Sequence, residues 1–437
     1  MKDAFAERGM RIFRTAAIGC LALAMTGGLF AQGAQGLKFD GYVNSGLGIV
    51  FTDKKVADGD GTKTADPQVY AFGVNSEQPG YRVRLNGSYT NSDGNAGAKF
   101  RFQAQSKFEL GAFSLPYAYG WVSFLDNIFT VNGGLVDNGT WESGGGLLNE
   151  DMGEGLGALL KISPVDGLDL GAGAYVISQQ GGGDNNILKV PQGSAVDNPV
   201  KDFSKINIGL DRLKYTFNAA YTAPDILKLT LSFRTKNQAG NETSLYIGED
   251  EVFNGREESS RMIFGVKLLA VKDLTAVVEA DVDKLEDFSN KGVFNIYETL
   301  GYKAGNLGFG LNAAEFISRV ENSDFGLHVN PWISYAVGPI VPRLDLNYFM
   351  ADSKNAVGAK YHRKVFSYSS NGADTKDLSV FAIRPSVTFN IDSRTFVEIG
   401  DLIAIENGPD GAFADAGDPK KASQLTNVVY IDLKWSF

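Results

Sequence analysis

With 437 residues, 41 Lys and Arg against 51 Asp and Glu, and a net charge of −10, the chain could form two or three domains or one large barrel. That charge balance excludes a phosphate-binding surface for nucleic acid, which needs clustered cations and a basic excess. Glycine is abundant at 52, aromatics reach 11%, proline stands at 13 and charged residues at 21%, a mixture that suits many strands with flexible connections and argues against disorder.

At the N-terminus, Arg11 and Arg14 precede an apolar run from Ala16 to Phe30, and the small residues Ala31-Gln32-Gly33-Ala34 follow. This is the pattern of an export signal cleaved near Ala31, so residues 1–31 are expected to be removed and 32–437 to form one domain. The single cysteine, Cys20, lies inside that signal, which leaves the mature chain without a thiol to mispair in an oxidising compartment. After residue 31 no run of eighteen apolar residues occurs, so no helix is long and oily enough to span a bilayer. Any crossing must be made by strands, and strands cross only as a closed barrel.

Leu37 to Thr52 reads as a first strand, followed by a polar stretch from Asp53 to Pro79 in which Val69 to Val74 could form a short strand. Tyr81 to Tyr89 alternates sharply: Tyr81, Val83, Leu85 and Tyr89 fall on one side, and Arg82, Arg84, Asn86 and Ser88 on the other. A turn at Asn91 to Gly97 leads to a partner in which Lys99, Arg101, Gln103, Gln105 and Lys107 alternate with Phe100, Phe102, Ala104 and Ser106. Tight connections recur at Leu125-Asp126-Asn127, Pro164 to Gly167, Ala223-Pro224-Asp225, Val271-Lys272-Asp273, Ala304-Gly305-Asn306, Gly338-Pro339 and Ile391-Asp392-Ser393. Between them lie longer polar linkers: Asp137 to Gly153, Gln179 to Asp211, Asn237 to Ser260, Ala351 to Asp377 and Ala404 to Leu425. Short and long connections therefore alternate, which is the asymmetry of outer-membrane barrels. The count is eighteen strands, with eight tight turns, nine outer connections and both termini at the tight-turn end; sixteen strands remain open.

The last stretch, Asn427 to Phe437, places Val429, Ile431, Leu433, Trp435 and Phe437 on one face and Val428, Tyr430, Asp432, Lys434 and Ser436 on the other. A membrane barrel turns the first face to lipid and the second to its lumen. A secreted soluble sandwich or β-helix would share the alternating strands, but it predicts neither the aromatic terminus nor the alternation of turn length. The expected fold is thus all-β: a transmembrane antiparallel β-barrel of 16–18 strands, with short periplasmic turns and long extracellular loops.

Three stretches carry a resemblance to the general bacterial porins. Arg82 to Gln105, with its Asn-Ser-Asp-Gly-Asn-Ala-Gly turn, looks like the second and third strands of that family. Ala118 to Phe124 followed by Phe129 to Leu135 is similar to its fourth and fifth. The closing Trp-x-Phe resembles the C-terminal strand whose aromatic is read by the barrel assembly machinery, with Trp435 and Phe437 as the residues concerned. The resemblance implies a water-filled channel narrowed by the loop after the fifth strand, here Asp137 to Gly153, whose Asp137, Glu142, Glu150 and Asp151 would face a basic wall of Arg82, Arg84, Lys99 and Arg101. A field across such an opening favours small hydrophilic solutes without binding chemistry. The resemblance also implies outer-membrane lipid around the barrel, ions and small hydrophilic solutes within it, and a homotrimer.

Elsewhere the chain offers no enzyme chemistry. His328 and His362 are far apart and read as lumen or loop residues rather than metal ligands. Asp281-Val282-Asp283-Lys284 with Glu286 and Asp287 lacks the glycine and spacing of a calcium loop, and reads as a charged strand end. No Gly-x-Ser-x-Gly elbow, phosphate loop or dinucleotide fingerprint occurs, so neither a catalytic residue nor a cofactor is expected. The expected function is passive diffusion of ions and small hydrophilic solutes. A structural or adhesive barrel with little conductance, and a substrate-specific uptake channel, are the alternatives.

Overall fold

The structure, a computed structural model, describes residues 36–72, 81–106, 113–136, 155–176, 213–236, 245–247, 250–253, 259–319, 325–350 and 378–437. The export signal therefore lies outside the described residues. Eighteen strands make one closed antiparallel sheet. In chain order they are Leu37–Thr52 (β1), Tyr81–Thr90 (β2), Ala96–Ser106 (β3), Phe113–Phe124 (β4), Phe129–Val136 (β5), Gly155–Val165 (β6), Leu168–Val176 (β7), Lys214–Ala223 (β8) and Leu227–Arg234 (β9). Arg261–Leu268 (β10), Leu274–Asp283 (β11), Val293–Ala304 (β12), Leu307–Ser318 (β13), Gly326–Tyr335 (β14), Ile340–Met350 (β15), Ser379–Asn390 (β16), Thr395–Asn407 (β17) and Ser423–Ser436 (β18) complete it.

Each strand pairs with its sequence neighbours, and β18 returns to β1 over eleven register pairs, from Tyr42↔Ser436 to Thr52↔Thr426. Gly41 and Phe437 extend that seam with two reciprocal backbone bonds of 3.1 and 3.0 Å. On its other edge β1 is covered twice: Leu37 to Asn44 pair with β2, and Gly46 to Val50 pair with the separate segment Gln68–Phe72. The short strand read within the first polar stretch is this segment; it continues the place of β2 in the ring rather than adding a nineteenth member. The eight tight turns fall where alternation breaks at Gly, Asn, Asp and Pro. Gly305 shows why, since its φ of 61° belongs to the left-handed region that a two-residue turn requires. The last linker is shorter than Ala404 to Leu425, because Glu406 and Gln424 still face each other across the ladder, with Gln424 Nε2 3.5 Å from Glu406 Oε2.

One parity of every strand is apolar and faces outward, as the exposed Leu47, Phe217, Leu300 and Ile431 illustrate. Aromatics ring the tight-turn end of this surface at Tyr89, Phe124, Tyr221, Tyr302, Tyr335 and Trp435. Among the described residues the band is interrupted at three carboxylates: Glu298 and Glu315 on the paired strands β12 and β13, and Asp401 on β17, which accepts a 2.9 Å bond from Asn427. The opposite parity points into the barrel, where eighteen strands leave room for an aqueous lumen.

That inner face is not uniformly wet. From β12 round to β1 it carries an apolar stripe that includes Tyr297, Phe316, Phe349, Val380, Leu402 and Val428, all nearly inaccessible. The sequence expectation of a polar lumen face therefore holds for β2, β3, β8 and β9, but not for β4, whose inner positions carry Tyr117, Tyr119 and Trp121, nor for the stripe that runs from β12 round to β1.

Candidate pore wall

The strand register brings the four predicted cations together. Arg84 on β2 lies opposite Tyr42 of β1 and Gln103 of β3, and Asn86 lies opposite Asp40 and Arg101. Lys99 sits one pair nearer the turn, opposite Ser88 and Tyr119, and Arg82 one pair further out, opposite Asn44 and Gln105. Because side chains repeat every second residue, all four project from one face of adjacent strands.

Neutral groups hold these cations in place. The Arg84 guanidinium lies 5.6 Å from the Tyr42 ring centre and donates to Gln103 Oε1. Arg101 lies 4.8 Å above Tyr117 and donates a 2.8 Å bond to Asn86 Oδ1, while Asn86 in turn donates to Asp40 at 2.5 Å. Lys434, on the polar parity of β18, also lies over the Tyr42 ring, its Nζ 5.0 Å from the ring centre. Among the described residues neither Arg84, Arg101 nor Lys434 has a carboxylate within ion-pair distance. Aromatic faces and amide oxygens orient a guanidinium without cancelling its charge, so the patch keeps a positive field directed into the lumen. The predicted acidic counterparts Asp137, Glu142, Glu150 and Asp151 lie outside the described residues.

A second cluster was not read from the sequence. On β15, Arg343 forks onto Asp345 with bonds of 2.8 and 2.7 Å, and Arg384 of β16 approaches the same carboxylate at 3.4 Å. Asn330 and Asn312 extend the network across β14 and β13 to Thr299 on β12. The Arg343 guanidinium stacks 4.5 Å over the Trp332 ring. Trp332 can lie flat because the wall beneath it is glycine: a Cβ at Gly310 would come within 2.7 Å of the indole, and one at Gly301 within 3.4 Å. The alternation of Arg343 and Asp345 in Val341 to Met350 was the available signal; its partners are set only by register across four strands.

The acidic strand end read near residue 281 is also a wall element. Arg261 of β10 holds Asp281 in a bidentate pair of 2.7 and 2.6 Å, and Glu286 in the following connection accepts the Ser260 backbone N–H at 3.0 Å. His328 faces inward on β14 with Nε2 3.4 Å from Asn347 Oδ1, and His362 lies outside the described residues. Among the described residues no group of three or more His, Cys, Asp or Glu is placed to hold a metal ion.

No protein-family model matches the chain, and no curated protein does. Among solved structures, OpdL of Pseudomonas aeruginosa superposes with a TM-score of 0.51 at 9% identity, covering 92% of this chain and 98% of that one. OprB of Pseudomonas putida gives 0.45 at 10% identity over 92% and 94%, and an engineered variant of the Rh. blastica porin gives 0.40 at 13% over 92% and 100%. At these identities the likeness to OpdL is one of fold.

Proposed function

We propose that this chain is an outer-membrane barrel of the porin type and that it forms a water-filled channel for passive diffusion of ions and small hydrophilic solutes. The observation that carries the proposal is the row of Arg84, Arg101 and Lys434 held on a lumen wall by rings and amides, with no ion-pair partner among the described residues. Such a row has no role in holding the wall together that apolar residues would not fill better, whereas it draws anions toward the opening. Asp137, Glu142, Glu150 and Asp151 supply the opposing charges, Arg82 and Lys99 complete the basic side, and the field between them orients dipolar solutes.

In this reading the signal is removed on export, and the tight turns face the periplasm. Trp435 and Phe437, whose rings lie 5.2 Å apart at the seam, present the assembly machinery with its aromatic mark. Three copies associate in the membrane. The Trp332–Arg343 stack supports a second reading, in which the lumen prefers one solute class, because a flat, pre-oriented ring and guanidinium are suited to recognising a shape.

Refolded protein in a planar bilayer is expected to give discrete conductance steps with a reversal potential displaced toward the anion. Absence of steps above background would leave a structural or adhesive barrel. Saturable block of the current by a single solute class would favour the substrate-specific channel.

A further inference from the structure

The connection 408–422, between β17 and β18, is built rather than loose. Gly408 N–H donates to Ala422 O at 2.8 Å and Phe413 N–H to Lys421 O at 3.1 Å. The side chain of Asp415 is 1% exposed, although the residue as a whole is half-buried, and it accepts three backbone N–H groups, from Asp418 at 2.8 Å, Gly417 at 3.0 Å and Lys55 at 3.2 Å. Withdrawal from water works against the charge of Asp415, but these N–H groups, Lys55 foremost, hold its carboxyl below the ordinary range. The Lys421 ammonium bridges Asp53 Oδ1 at 2.9 Å and Asp415 Oδ2 at 3.6 Å, and the same Asp53 oxygen accepts the Leu425 N–H at 3.0 Å. Two carboxylates and one mostly buried lysine thus tie the first outer connection to the last, across the β18–β1 seam.

The direction of the fold-back is set by Phe413. It is 6% exposed and belongs to the apolar stripe, whose members on the strands all lie on lumen-facing positions. Its ring edge lies 3.5 Å from where a Cβ of Gly408 would stand, and Leu378 flanks the same point at 3.6 Å. A connection that rose into solvent would have exposed its largest apolar side chain; this one turns that side chain back over the inner wall. An open track for oily solutes is not the use of this stripe, since Phe349, Val380, Ala382 and Val428 are each 0% exposed.

We propose that 408–422 is a fixed constriction element at the outer mouth of the lumen, seated by Phe413 and pinned by Asp53, Asp415 and Lys421. The pinning groups are bonded to one another and to backbone N–H groups rather than presented to the lumen, so this element filters solutes by size, while the basic wall filters them by charge. The proposal rests on the channel reading for its function, but its geometry can be tested separately.

The full-length barrel carrying Lys55→Cys and Gly417→Cys reports on placement. A Cβ at Gly417 would lie 3.7 Å from the Lys55 Cβ, within the span of a disulfide, and no cysteine follows Cys20 in the sequence. The backbone N–H that Lys55 gives to Asp415 survives the substitution. Oxidation is expected to form the bond in the folded, heat-modifiable barrel; a folded barrel that does not form it overturns the placement. Phe413→Ser is expected to raise single-channel conductance and to admit larger neutral polyethylene glycols, with ion selectivity unchanged. Adding the cross-link to Phe413→Ser should return both toward the parent values. A Phe413→Ser barrel that folds, conducts and excludes polymers as the parent does would overturn the proposed role. If the parent itself gives no current, the channel reading fails, and the disulfide result still decides where the loop lies.

Discussion

With Arg82 and Arg84 both replaced by alanine, the anion-to-cation permeability ratio falls about tenfold in dilute salt. A unit charge about 6 Å from a passing ion is worth about 0.7 kcal/mol in water, and screening at 0.1 M salt roughly halves that. Each arginine favours an anion and disfavours a cation by this amount, so removing two changes the ratio by about 1.4 kcal/mol, or one factor of ten. At 1 M salt the Debye length shrinks to about 3 Å and the effect should nearly vanish. Reversal potentials measured across a salt gradient at both ionic strengths check this. An unchanged ratio in dilute salt would place the two arginines away from the narrow part of the lumen.

Asp345→Ala is expected to destabilise the folded barrel by about 3 kcal/mol. Its carboxylate is 1% exposed and takes two bonds from Arg343 as well as the approach of Arg384, so its removal leaves two cations facing each other without a counter-charge. The cost falls at the low end for a broken buried pair because the Arg343 side chain is 34% exposed and can turn toward the lumen water. Removing Arg343, Asp345 and Arg384 together by leucine should cost less than the single substitution, since no charge is then stranded. Urea unfolding in detergent micelles, followed by the summed fluorescence of the four tryptophans, measures both. Equal costs for the single and triple variants would mean that the network is not held by charge.

Strand direction, face and the alternation of short and long connections were legible because they depend on neighbours one or two residues away. In Tyr81 to Tyr89, parity alone puts Arg82 and Arg84 on one side of the sheet, and the turn at Asn91 fixes their register against Arg101. The final strand could be assigned in the same way, from Val429, Ile431 and Leu433 against Asp432 and Lys434. What sequence reasoning missed needs several registers at once. Arg384 meets Asp345 through the β15–β16 pairing, and that pairing follows a connection of more than twenty residues whose length carries no register information. Val428 and Tyr430 read as apolar exceptions on the polar face of the last strand; with Phe349 they form a stripe only when the strands from β12 to β18 stand side by side. Phe413 gave no signal at all, since one aromatic in a polar linker has no period to place it.

The first and last strands meet as hydrogen-bonded neighbours at the tight-turn end, and this makes the order of the strands in the gene partly arbitrary. Gly41 already exchanges two backbone bonds with Phe437, so a linker of a few residues could splice the last strand to the first without stretching either. A circular permutant joined there and reopened between Gly305 and Asn306 would present the same ring of neighbours, with its new termini on the same side of the membrane. It is expected to refold into a heat-modifiable barrel with the parent's unfolding midpoint. Opening the chain instead within β12 would leave two halves of a strand to find their register in hydrocarbon, and that permutant should not insert.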